Sequence, residues 1–175
     1  MNRRTAIAAI AGAGLTGGSA LVLGGAGPLG DGDGLPVRVE AIDAPGSEAG
    51  RLRVPSGDRP TLVDCFATWC EPCDRQMETL TALYTEYEDG IDFVSVTNER
   101  VGGGLSRADV ADWWERREGR WPVAVDPESA VMSAIGADGL PYLALTDGRG
   151  AVQWEHSGVA SRERLRSAFE AVLGT

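Results

Sequence analysis

The chain has 175 residues, with 26 acidic residues against 16 basic ones and a net charge of −10. That length suits one ordinary domain plus a short extra segment, and it needs neither metal nor disulfide to reach a stable core. An acidic surface excludes nucleic acid as a partner, because phosphate binding needs basic patches. Every basic residue is arginine; codon bias would explain that but not the acid excess, so adaptation to high salt is the preferred reading.

Residues 1–26 read as an export signal or an N-terminal membrane anchor. Arg3 and Arg4 form a short basic start, and Thr5 to Ala26 follow with no charge. The arginine pair fits a twin-arginine address, although Ala6 and Ile7 stand where such signals usually carry bulkier apolar residues. Two forms fit the stretch, a cleaved signal and a retained anchor that associates the chain with the membrane. Both put the folded part outside the cytoplasm. Residues 27–34 (GPLGDGDG) have the composition of a flexible linker, and the folded domain is expected over 35–175.

Within that domain, Val37, Val39 and Ala41 alternate with Arg38 and Glu40, and 50–54 alternate likewise, which predicts an N-terminal hairpin. The run 61–66 (TLVDCF) is nearly all apolar and suits a central strand covered on both faces. A helix is predicted over 71–88, with Met77, Leu80, Tyr84 and Tyr87 on its buried stripe. A strand at 91–97 follows. A second helix is predicted over 106–118, with Ser106 and Asp109 at capping-box spacing and Val110, Trp113 and Trp114 facing inward. Residues 123–125 read as a short or edge strand and 128–135 as a short helix. Strands at 142–145 and 152–154 flank a turn-rich loop, and a last helix covers 161–173 before Gly174. This order predicts a mixed α/β sheet with helices on both faces.

The chemistry sits at Trp69-Cys70-Glu71-Pro72-Cys73, between a buried strand and a helix. Two cysteines three apart across a first helical turn can close a disulfide with little backbone movement. Cys70 is at the helix N-terminus, where unpaired N–H groups and the macrodipole favour a thiolate, the attacking species. Pro72 suits the first turn, where its missing N–H costs nothing. Cys73, deeper, is expected to resolve the mixed disulfide. A zinc site would need further ligands, but no second C-x-x-C exists and His156 is the only histidine. A purely structural disulfide fits poorly with the strand-to-helix position and the aromatic residue before Cys70.

The segment from Val63 to Cys73 resembles thioredoxins, and most closely the exported TlpA/ResA-like thiol–disulfide oxidoreductases, whose sites often read W-C-x-P-C. Gly139-Leu140-Pro141-Tyr142 resembles the cis-proline loop of that family, and the chain beyond it the closing hairpin. The resemblance implies a thioredoxin fold: a central mixed sheet flanked by helices, with an N-terminal hairpin and an inserted strand–helix unit. It implies Cys70 as nucleophile and Cys73 as resolving thiol of a redox-active disulfide. It places Trp69, Pro72, Leu140 and Pro141 in the substrate-binding surface, and it matches Asp64 to the buried acid of thioredoxins, here the expected proton acceptor for Cys73. TlpA/ResA relatives often lack an acid at that place, and some carry a glutamate where this chain has Gln76. Protein thiols and disulfides are the implied substrates, with a separate redox partner to recharge the site and no bound cofactor. Cys65 reads as a small buried hydrophobe. The alternative from another class is a copper-handling chaperone on the same fold, with His156 and Met132 as the distant soft donors.

Overall fold

The computed structural model describes residues 34–174. The export segment and nearly all of the linker read from the sequence lie outside these residues. No helix among the described residues is long and apolar enough to cross a membrane.

The elements run β1 (Val37–Ala41), β2 (Gly50–Val54), β3 (Thr61–Phe66), α1 (Glu71–Tyr87), β4 (Asp92–Thr97), α2 (Arg107–Arg116), β5 (Val123–Val125), α3 (Ala130–Ala134), β6 (Tyr142–Thr146), β7 (Val152–Ser157) and α4 (Arg162–Leu173). The seven strands among the described residues make one sheet in the order β2-β1-β5-β4-β3-β6-β7. β3, β4 and β5 are parallel neighbours, while β1–β2, β1–β5, β3–β6 and β6–β7 are antiparallel. The expected mixed sheet is therefore present, with the two hairpins at its edges. It is the thioredoxin fold.

β5 is the short strand expected, but it lies inside the sheet rather than at an edge, because the N-terminal hairpin adds β1 alongside it, and all three of its residues are buried. β7 runs on to Ser157, three residues beyond the predicted end, because its pairing with β6 continues to Tyr142. It is one of the two outer strands, and its residues alternate between exposed and half-buried toward its end.

Two apolar layers hold the sheet. The larger is built by α1, α2 and α4 through Met77, Leu80, Val110, Trp113, Trp114, Leu165 and Phe169, over Leu62 and Phe66 of β3. The smaller lies on the other face, where α3 packs Val131 against Val63 and Cys65. β3 thus feeds both layers, as its unbroken apolar run requires. Trp113 and Trp114 are core, and α2 begins in the expected box: Asp109 N–H donates to Ser106 Oγ at 3.1 Å and Ser106 N–H donates to Asp109 Oδ2 at 2.7 Å. The Ser106 hydroxyl, which donates to Asp109 Oδ2 at 2.7 Å, and then the Ser106 N–H hold the Asp109 carboxyl below the usual carboxylate range.

Candidate active site

The site forms where β3 ends. Cys70 follows a tight turn in which its N–H donates to the Ala67 carbonyl at 3.1 Å. Cys70 is extended, with φ −89° and ψ 97°, and it caps α1: the Cys73 N–H lies 3.3 Å from Cys70 Sγ. The nucleophile expected from the sequence is thus the N-cap itself, and its sulfur receives one of the orphan N–H groups of the first turn. Cys70 and Cys73 form a disulfide with Cα atoms 5.2 Å apart, inside the usual bridging range. Cys70 is 4% exposed and Cys73 1%. Trp69, immediately before them, is 75% exposed, the most exposed large apolar side chain among the described residues. Pro72 sits in the first turn of α1, half-buried.

The turn is held from the segment just after β4. Glu99 accepts from Thr68 N–H at 2.7 Å and from Thr68 Oγ1 at 2.8 Å, and its Oε2 also accepts from Thr97 Oγ1 at 3.0 Å. One carboxylate therefore fixes both donors of the residue two places before Cys70. Nothing in the sequence pattern joins positions 68 and 99; sheet pairing brings them together.

Asp64 lies in the middle of β3, 2% exposed. By strand alternation it shares the face of Leu62 and Phe66, the face beneath α1, while Cys65 points the other way. Its Oδ2 accepts a 2.7 Å bond from Ser95 Oγ, which in turn accepts from Trp121 Nε1 at 3.0 Å. Burial pushes the Asp64 carboxyl from 3.8 up to about 7, against the opposing pull of the Ser95 hydrogen bond. No hydrogen bond among the described residues joins it to either cysteine. Burial, reinforced by the nearby Asp64 and Asp126 carboxyls, pushes the Cys65 thiol up, so it stays protonated and inert.

The Leu140–Pro141 peptide is cis. Tyr142 stands opposite Cys65 in the β3–β6 ladder, so Pro141 reaches the end of β3 from which the C-x-x-C turn departs. Leu140 packs against the layer that contains Cys70 and Cys73. The Pro141 carbonyl accepts from Gly158 N–H at 2.8 Å, and two residues on Ala160 N–H donates to Gln76 Oε1 at 2.7 Å. Gln76, one turn beyond Cys73, thereby ties α1 to the same loop that seats Pro141.

The structure brings Cys70, Cys73, Trp69, Pro72, Leu140 and Pro141 to one end of the sheet, with Asp64 in the core behind them. Of the two soft donors considered for copper, only Met132 lies on the other side of the sheet; His156 stands opposite Leu143. Met132 packs against the layer on the opposite face of the sheet from the dithiol, and His156 is on β7, stacked on Trp154 with ring centroids 5.8 Å apart. Among the described residues no group of three or more His, Cys, Asp or Glu side chains is arranged to hold a metal ion.

The Redoxin family profile matches residues 54–173. The thiol–disulfide oxidoreductase ResA of Geobacillus thermodenitrificans is 28% identical over 112 residues, which are 63% of this chain and 62% of that protein. The alignment thus spans less than two thirds of the relative's length. Among solved structures, StoA from Bacillus subtilis superposes with a TM-score of 0.61 at 18% identity, over 77% of this chain and 97% of that one. The pneumococcal exposed lipoprotein thioredoxin Etrx1 from Streptococcus pneumoniae gives a TM-score of 0.64 at 20% identity, over 78% and 99%. At these identities the structures attest the fold.

Proposed function

The chain belongs to the Redoxin family, and from that premise we propose that it is an exported thiol–disulfide oxidoreductase acting on protein substrates. The observation that carries this reading is the Cys70–Cys73 disulfide at the N-cap of α1, beside an exposed Trp69. A helix N-terminus stabilises a thiolate on Cys70, and Trp69 with the Leu140–Pro141 segment offers an apolar seat for an extended substrate segment.

In the reducing direction the Cys70 thiolate attacks one sulfur of a substrate disulfide. A Cys70–substrate bond forms, and the other substrate sulfur leaves as a thiolate that takes up a proton. Cys73 loses its proton to Asp64 and attacks Cys70 Sγ; the Cys70–substrate bond breaks, and the second substrate sulfur leaves as a thiolate that takes up the proton Asp64 gives back. Two electrons have passed to the substrate, and the protein holds the Cys70–Cys73 disulfide. A separate redox partner returns two electrons and two protons. Every step reverses, so the Cys70–Cys73 potential relative to the partners sets the direction. Asp64 suits the proton step because a carboxyl that titrates near 7 can accept and return a proton at neutral pH.

Turbidimetric reduction of insulin tests the activity. The wild type should reduce insulin and the Cys70→Ser variant should not; equal rates would refute the reading. Export is supported by the charge-free stretch after Arg3-Arg4. Replacing both arginines with lysine should leave the protein in the cytoplasm, and unchanged extracytoplasmic abundance would refute the twin-arginine route.

A further inference from the structure

Both acids in the first turn of α1, Glu71 and Asp74, are matched by an arginine in a chain that has far more acids than bases. Glu71 pairs with Arg75 at 2.9 Å on the exposed side of the same helix, a contact that water screens. Asp74, the residue after Cys73, is held from a different element. Arg117 grips its carboxylate in two contacts, Nε to Oδ1 at 2.5 Å and Nη2 to Oδ2 at 2.6 Å. The side chains are 24% and 38% exposed, and this is the most sheltered ion pair among the described residues.

The guanidinium is also fixed from behind. Its Cζ lies 4.4 Å from the centroid of the Trp113 ring, and Trp113 stacks on Phe66 at 4.7 Å with the planes 17° apart. Phe66 is the last residue of β3, where the C-x-x-C turn begins. The turn that carries Arg117 is equally constrained. The N–H groups of Arg117 and Gly119 both donate to the Trp114 carbonyl, at 3.2 and 3.1 Å, and a Cβ at Gly119 would lie 2.1 Å from the Trp114 ring. A planar, bidentate and stacked guanidinium with an immobile base is a fixed charge, not a wandering surface one.

From this we infer that Arg117 is a positioning residue that tunes the Cys70–Cys73 potential, by cancelling the Asp74 charge that lies one residue from the dithiol. The inference rests on the oxidoreductase reading. An uncompensated carboxylate at 74 would oppose a thiolate in the reduced site, and an uncompensated guanidinium would favour one. Stabilising the thiolate stabilises the reduced form and makes the couple more oxidising. The pair, complete, leaves the first turn close to neutral, so the turn's own side chains neither oppose nor add to the pull of the helix N-terminus on Cys70.

The test is equilibrium titration with glutathione. The protein disulfide and two glutathione thiols give the protein dithiol and one glutathione disulfide, with two electrons and two protons transferred. Arg117→Gln should lower the equilibrium constant for reduction roughly threefold to tenfold, a shift of about 14 to 30 mV toward reducing values by the two-electron relation. Asp74→Asn should shift it by a similar factor in the opposite direction. The double variant and Arg117→Lys should return close to wild type. A pair that merely braces α1 against α2 would be broken by either single change, and both variants would then move the same way or not at all. That result overturns the inference while leaving the oxidoreductase reading intact. A wild-type chain with no reversible equilibrium overturns both. Far-ultraviolet circular dichroism of each variant identifies one that fails to fold, and the remaining single variant with Arg117→Lys still fixes the sign.

Discussion

Asp64 and Ser95 face each other as register partners on the parallel strands β3 and β4, and the Ser95 hydroxyl donates a 2.7 Å hydrogen bond to the Asp64 carboxyl. This single bond is the only hydrogen bond that the Asp64 side chain receives among the described residues, which is too little to offset the loss of water around a carboxylate. Burial therefore dominates, and the carboxyl titrates near 7 rather than 3.8.

A pH dependence of stability follows with a definite sign. Below about pH 4 the folded and unfolded states both hold the Asp64 proton. Between there and about 7 the unfolded state has lost it while the folded state keeps it. Stability from this group is thus present at low pH and is lost as pH rises through the folded value. Asp64→Asn removes the loss. In urea titrations the variant should exceed wild type by about 2–4 kcal/mol at pH 8, and the gap should close by pH 4. A constant difference across that range would contradict a raised Asp64.

The same substitution separates the two chemical steps. Attack by Cys70 on a model disulfide should change little, because a Cys70 thiolate stabilised by the helix N-terminus needs no proton acceptor. Release of the mixed disulfide by Cys73 should slow, most strongly near neutral pH, where the lost acceptor matters. Stopped-flow measurement of both phases from pH 6 to 9 checks this. Equal release rates would remove Asp64 from the mechanism.

The order of attack is tested by trapping. Cys73→Ser should accumulate mixed disulfides between Cys70 and substrate proteins, visible on non-reducing gels and lost on adding reductant. Cys70→Ser should accumulate far fewer, because the N-cap position that favours a thiolate belongs to Cys70 and not to Cys73. Comparable trapping by both variants would reverse or erase the assigned roles.

Glu99 should matter to the site without touching substrate. Glu99→Ala strands the Thr68 N–H and hydroxyl and the Thr97 hydroxyl. A loss of about 1–3 kcal/mol in urea unfolding is expected, with slower attack by Cys70 because the preceding turn loosens. Glu99→Gln keeps an acceptor and should fall between the two. Unaltered stability in Glu99→Ala would show that the clamp is dispensable.

The net charge of −10 gives a prediction for the whole domain. If the acid excess adapts the chain to salt, raising ionic strength from millimolar to molar should raise the melting temperature, because screening relieves carboxylate repulsion. A melting temperature that does not move with salt would leave codon bias as the account of the missing lysine and the acid excess unexplained.

Some of this protein was legible in the sequence by itself. The C-x-x-C at a helix N-cap, the capping box at Ser106 and Asp109, and the buried run of β3 all depend on groups within one turn or one strand. Interactions that local are written in residue type and spacing. The resemblance carried by residues 63–73 and 139–142 then located Pro141 and Asp64. What the sequence did not carry is who stands beside whom across the sheet. Thr68 meets Glu99 over 31 positions and Asp74 meets Arg117 over 43. β5 becomes an interior strand only because β1 returns to pair with it. Strand order and helix packing set these contacts, and they emerge from burying one apolar layer against another. Spacing along the chain holds no trace of them, so the charge beside the dithiol and the clamp on its turn were decided by the tertiary structure alone.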